Sequence, residues 1–447
     1  MLKTGKIIVS ALVALLVSFP ASARLFDIEE YRLANGATLL VVENRKAPIV
    51  KHMVWYRVGA ADELPGKGGA AHLLEHLMFR GTTKAADGEF NRLMQQNGAD
   101  SNAFTSLDYT AYHQNLDISR LELAMALEAD RMQNLDFSDE AFASERDIVF
   151  QERKQVVDNQ PLSAFSEALR RGLWQTHPYA KPVTGTEKEI LSLTRDDIMD
   201  FYRRHYAPEN AVIIISGDID GQTAYRLAEK YYGRVPARPA AAKAVFPELD
   251  PHTRSSLSMR LPRVELPRVV RSYVVDSYNT DAGQIYPLSV LAVYLGEGDI
   301  SALYRELVVK RRLALAVSAS YDYASRSYGT FSLSAVPAPG ISVEELKIAL
   351  DEAVANALDR LNDGELNRVK NRMLAGLVYL KDNPFDAAYI VGSLYAVGMS
   401  KDDIENYADN IRKVDVPAVK KAAEKLLTAS AAAEGTAEPL PRGEKDE

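Results

Sequence analysis

A proline-studded segment near the middle of the chain, Gly233 to His252, does most to limit the fold. Pro236, Pro239, Pro247 and Pro251 fall within it, with an alanine-rich stretch between them. Proline fixes φ and has no N–H to donate, so neither a continuous helix nor a central strand can pass through. Residues 236–252 are therefore expected to link two packed domains, 24–235 and 253–427. A chain of 447 residues, 47% of them hydrophobic, has apolar material enough for both.

The two sides of this linker follow a similar plan. On the first, Thr38 to Val42 and Ile49 to Val58 are β-rich runs expected to pair as neighbouring strands. Apolar residues at helical spacing follow over Glu89 to Asn97, Ser119 to Leu135, Ser138 to Val157 and Leu162 to Trp174. Ala211 to Ser216 then returns to a short buried strand. On the second side the order recurs: strand-like Val269 to Val275, a helix near Tyr286 to Leu295, strands at Val317 to Tyr323 and Gly329 to Val336, then helices from Val343 to Leu427. The fold class predicted is α+β, with two homologous domains, each a mainly antiparallel sheet covered by helices. Residues 428–447, rich in Ala, Gly, Pro and charge, are expected to be a disordered tail.

Residues 1–23 differ from the rest. Lys3 and Lys6 precede an almost wholly apolar run, Ile7 to Phe19, and the small residues Ala21-Ser22-Ala23 follow. This pattern predicts a secretory signal cleaved after Ala23 rather than a stable membrane anchor, because the run falls short of the roughly 20 residues that span a bilayer. With no cysteine in the chain, disulfides and thiolate metal sites are excluded. An exported chain built without disulfides fits the periplasm of a Gram-negative bacterium. The net charge of −8 gives no basic surplus for a nucleic-acid partner.

The chemistry concentrates at His72-Leu73-Leu74-Glu75-His76. Gly68-Gly69 before it and Gly81 after it bracket a predicted helix of about three turns. Side chains four apart lie one above the other on a helix, so both imidazoles can reach one ion and Glu75 can reach a water beside it. Leu73, Leu74, Leu77 and Met78 supply the apolar side that holds this helix down. A hydrolytic zinc ion takes three protein ligands and leaves one position for water, so a third donor must come from elsewhere. Glu145 and Glu152, seven residues apart on a predicted helix, offer carboxylates two turns along one face. Glu152 is expected to be the third ligand and Glu145 the acid that orients a ligand histidine. By spacing alone, Glu152 reads rather as part of a solvated helix face.

Gly68 to Thr82, with the His72–His76 motif at its centre, resembles the active-site signature of the insulinase and pitrilysin family of inverted zincins. Asn102-Ala103-Phe104-Thr105, Asp108 to Tyr112, the Glu145 and Glu152 pair, His177-Pro178-Tyr179 with Gly185, and Tyr206 to Asn210 are similar to further landmarks of that family. The resemblance implies one Zn2+ per chain held by His72, His76 and Glu152, with Glu75 as catalytic base. It implies a peptide substrate that adds a strand to a sheet edge at Asn102, Ala103, Phe104 and Thr105. It also exposes a departure. Active members carry an Arg and, seven residues later, a Tyr in the second domain, where this chain has Val308 and Leu315. Neither side chain can donate a hydrogen bond, and an oxyanion donor is worth about 3–4 kcal/mol of barrier. The resemblance therefore implies a homologous partner subunit that supplies the Arg and Tyr. The alternative is a non-catalytic assembly subunit of the same fold.

Overall fold

The computed structural model describes residues 24–250 and 252–441. The predicted signal segment lies outside the described residues, as do Pro251 and 442–447. The first half runs β1 (Ile28–Arg32), β2 (Thr38–Glu43), β3 (Ile49–Tyr56), α1 (Ala70–Leu77), α2 (Glu89–Gln96), β4 (Asp100–Thr105), β5 (Thr110–Asp117), α3 (Leu121–Asn134), α4 (Asp139–Asn159), α5 (Ser163–Trp174), α6 (Glu187–Ser192), α7 (Arg195–His205), β6 (Ala211–Gly217) and α8 (Gly221–Tyr231). The second runs β7 (Arg254–Leu261), β8 (Arg268–Val275), α9 (Tyr278–Asp281), α10 (Ile285–Gly296), β9 (Ala314–Asp322), β10 (Gly329–Pro337), α11 (Val343–Arg360), α12 (Asp363–Asp382), α13 (Pro384–Ala396), α14 (Lys401–Glu405), α15 (Tyr407–Lys413), α16 (Val416–Ala429) and β11 (Ala432–Pro439). Residues 236–250 carry neither helix nor strand. No helix among the described residues is long and apolar enough to cross a membrane.

The first sheet has the order β1-β2-β6-β3-β5-β4. β2 and β3 are not neighbours, contrary to the sequence expectation, because β6 lies between them, parallel to β2 and antiparallel to β3. The reason is burial. Every residue of β6 is covered, and an apolar run such as Val212-Ile213-Ile214-Ile215 is stable only at the centre of a sheet packed on both faces. Strand alternation then divides the core. Leu40, Val42, Met53 and Trp55 face the second half, while Leu39, Val41, Val54 and Tyr56 face α1 and its neighbouring helices.

The second sheet, β7-β11-β8-β10-β9, repeats this plan. The parallel pair β7·β11 corresponds to β2·β6, and the antiparallel steps to β8, β10 and β9 correspond to those to β3, β5 and β4. The match corrects one expectation. Ala432–Pro439, placed in a disordered tail by composition, is an interior strand paired on both sides. Small residues suit it because α5 lies close against this sheet: a Cβ on Gly435 would come within 2.7 Å of the Phe165 ring. The other half replies in kind. α13 packs on β3 and β6, where Gly392 sits on Trp55 so closely that a Cβ would come within 2.2 Å of the indole. Each half thus lends a helix to the other's sheet. Ending the chain at Ser430 is expected to leave no soluble, cooperatively melting protein, checked by solubility and thermal unfolding; an unchanged Tm would mark the segment as a dispensable tail.

Candidate metal centre

α1 is shorter than predicted, about two turns, and ends at Leu77 well before Gly81. Leu73, Leu74, Leu77 and Met78 are buried, so the opposite side of the helix presents His72 and His76. Its first turn is held by Glu63, a buried carboxylate that accepts the Gly69 N–H at 3.1 Å and the Ala71 N–H at 2.9 Å. Burial pushes the Glu63 carboxyl up to about 8, against those two donors.

α4 packs against α1 and brings Glu152 to the histidines. Its Oε2 lies 3.9 Å from His72 Nε2 and 3.5 Å from His76 Nε2. Ligand atoms of all three residues fall within 4.8 Å of one another. Two turns earlier on α4, Glu145 Oε2 lies 2.9 Å from His76 Nδ1, which leaves Nε2 as the ring nitrogen facing Glu152. The Arg80 Nε donates to the other Glu145 oxygen at 2.6 Å. Burial works to raise the Glu145 pKa, but the bonds from His76 and Arg80 outweigh it and hold the carboxylate below its ordinary range. Burial pulls His72 down to about 4, so its ring is a neutral donor. His76 is pulled down by burial and raised further by its bond to Glu145 and the charges of Glu152 and Glu75. The donor set, two imidazole nitrogens and one carboxylate oxygen with a carboxylate behind one histidine, fits a single zinc ion.

Glu75 is buried, and burial raises its pKa despite Thr105 and His76. The Thr105 hydroxyl donates to Glu75 Oε2 at 2.5 Å, tying the acid to β4. β4, which carries Asn102, Ala103, Phe104 and Thr105, is the edge of its sheet and has no strand on its outer side; there the Asn102 side chain accepts the Ala103 N–H at 2.8 Å. The four side chains do not act alike. Ala103 packs on the α1 side, whereas Phe104 points across the sheet to Trp55, with ring centres 5.3 Å apart. Pattern reading singled out both histidines, Glu75, Glu145 and Glu152, which α1 and α4 bring together. It missed Glu63 and Arg80, whose roles depend on tertiary neighbours; the position of Glu63 just ahead of Gly68-Gly69 was the only local sign.

The insulinase (peptidase family M16) model matches residues 39–187, and that of the peptidase M16 inactive domain matches 192–373. The chain belongs to this family. A zinc protease, PqqE, of Helicobacter pylori is 28% identical over 410 residues, 90% of each chain. The mitochondrial-processing peptidase subunit beta of Lentinula edodes is 27% identical, covering 88% of this chain and 86% of that one. The crystal structure of a protease from Helicobacter pylori superposes with a TM-score of 0.83 at 25% identity, over 93% of this chain and all (100%) of that one. The metallopeptidase family and its two-domain fold are thereby assigned. Since outer-shell partners of ligand histidines typically matter 10–100-fold, Glu145→Gln is expected to weaken zinc binding by about that factor. A competition titration with a chromophoric chelator checks this, and unchanged affinity would remove Glu145 from the site.

Proposed function

We propose that this chain is a zinc-dependent endopeptidase that hydrolyses peptides or short unfolded polypeptides, exported to the periplasm and working as the zinc-bearing subunit of a heterodimer. The observation that carries the reading is the convergence of His72, His76 and Glu152 beside Glu75, itself bonded to the edge strand on which a peptide would lie. His72, His76 and Glu152 would hold the ion, which supplies Lewis acidity to the attacking water and the scissile carbonyl. Glu75 accepts the water proton as the hydroxyl adds to the carbonyl carbon, then delivers it to the departing amine nitrogen. Burial raises its pKa, which favours holding the proton before delivery to the amine. The outer edge of β4 would align an extended substrate with little demand on sequence.

The heterodimer rests on what the second half lacks. Val308 packs against the core and Leu315 is exposed on β9. Neighbouring donors are engaged elsewhere: Arg305 with Glu365 at 3.3 Å, Arg311 with Glu352 at 2.9 Å, and the Tyr321 hydroxyl with the Asp276 carbonyl at 2.5 Å. Tyr323 stacks on Tyr407. These four side chains are engaged within the second half, which supports a donor from a second chain.

The test measures zinc content and cleavage of unstructured peptides by the chain alone and with a homologous subunit that keeps the Arg and Tyr. Mixing is expected to raise activity strongly, and Glu75→Gln to lower kcat by about a hundred- to ten-thousand-fold while zinc stays bound. Full activity of the lone chain with no gain on mixing would sink the heterodimer. A chain that never holds zinc, or is indifferent to Glu75→Gln, would instead be a non-catalytic assembly subunit.

A further inference from the structure

Two cavities share a wall on α5, and two residues line both. The first, about 650 Å³, lies between the α4–α5 turn and the β7–β8 hairpin, and Val156 on its wall stands one helical turn beyond Glu152 on α4. The second, about 580 Å³, begins at Thr105, the residue bonded to Glu75, and runs between α5 and the second sheet. Ser166 and Arg170, on one face of α5, line the two in common.

Arg170 is a half-buried cation without an ion pair among the described residues. Its guanidinium donates only to the Lys181 carbonyl, 3.4 Å away. The neighbouring carboxylate, Glu167, is taken by Arg153, which donates to both its oxygens, one at 2.7 Å. Burial lowers the Arg170 pKa, partly offset by the nearby charge of Glu167. Two further arginines line the first cavity from the second half of the chain, Arg263 and Arg268, and neither forms an ion pair among the described residues. Besides the committed Glu167, the one carboxylate on this lining is that of Glu265, exposed on the hairpin. A basic hollow in a chain of net charge −8 is a local arrangement, not a reflection of overall charge.

We propose that this arginine-lined hollow is a substrate subsite that takes a carboxylate of the bound peptide, so that the enzyme selects acidic peptides. The inference rests on the peptidase reading and adds the substrate class. A guanidinium short of a partner in a partly water-excluded cavity binds a carboxylate through charge-assisted, bidentate hydrogen bonds. Apolar Val156, Leu162, Val264 and Leu266 on the same lining would receive the stem of a glutamate side chain. The carboxylate could come from an acidic side chain or from the peptide's own C-terminus, and both present the same chemistry to Arg170.

Binding to the full chain carrying Glu75→Gln separates this from catalysis. Fluorescent peptides with one Glu placed in turn along the sequence are compared with their Gln counterparts, each with a free and an amidated C-terminus. One Glu position, or the free C-terminus, is expected to tighten binding about tenfold, the worth of a charge-assisted bond in a sheltered site. Raising the salt should weaken that peptide alone. Arg170→Gln and, separately, Arg268→Gln should shrink the preference, whereas Arg170→Lys should restore part of it. Equal binding of Glu and Gln peptides, free and amidated alike, overturns the proposal, as does a preference that survives Arg170→Gln in a chain with the parent's Tm. Cleavage of acidic and neutral peptides at equal rates by the parent chain would leave the peptidase reading standing and this subsite refuted. Acid-selective binding by a chain that never cleaves would do the reverse.

Discussion

Arg326 holds the two halves of the molecule in register. It sits in the turn between β9 and β10, and its guanidinium reaches into the first half, bonding Asp62 at 2.7 and 3.1 Å and Asp108 at 3.0 Å. All three side chains are almost wholly covered. Burying charges is costly, but here the planar fork meets two carboxylates, and Asp108 also accepts the Tyr179 hydroxyl at 2.6 Å. Removing the guanidinium would strand two acids in the interior, at a cost of about 3–5 kcal/mol. Asp108 lies in the β4–β5 turn, so the clasp joins equivalent hairpins of the two copies. The reciprocal seating of α5 and α13 on the opposite sheets accompanies this clasp.

The candidate site inherits its geometry from this docking. Trp55 is wedged between Phe104 of the edge strand and Tyr389 of α13, with ring centres 5.3 and 5.9 Å away. The side of β4 turned away from the histidines is therefore braced by the second half. With Phe104 fixed in that cluster, strand alternation directs Thr105 to Glu75. The distance between Glu75 and the β4 edge is thus set in part by a helix some 280 residues further along the chain. His177 and Tyr179 belong to the same seam, bonding Ser327 from the first half.

The duplicated topology shows how one plan serves two ends. α1 follows β3 and precedes β4; α10 follows β8 and precedes β9. In the first copy this helix buries one side and turns its histidines outward. In the second it is buried almost all round, from Ile285 to Gly296, and offers no metal donor. The second copy of this helix serves as packing for its sheet.

Much of the fold was legible in the chain. Long amphipathic helices and buried strands announce themselves by period, and the prolines before Arg254 mark the boundary between the halves. The misreadings share a cause. Strand order depends on which run is most completely buried, so β6 displaces the local pairing of β2 with β3. β11 is poor in apolar bulk and reads as a tail, because its stability comes from two neighbouring strands and from the space left by Phe165. The sequence by itself placed the candidate donors: helical spacing puts His72, Glu75 and His76 together, and a seven-residue step puts Glu145 and Glu152 on one helix face. Only the tertiary structure decided that α4 lies across α1, that Arg80 and Thr105 complete the hydrogen bonding, and that Arg170 faces a hollow without an ion-pair partner. Spacing along one helix is a local property of the backbone, whereas the meeting of two helices is settled by the burial of everything else.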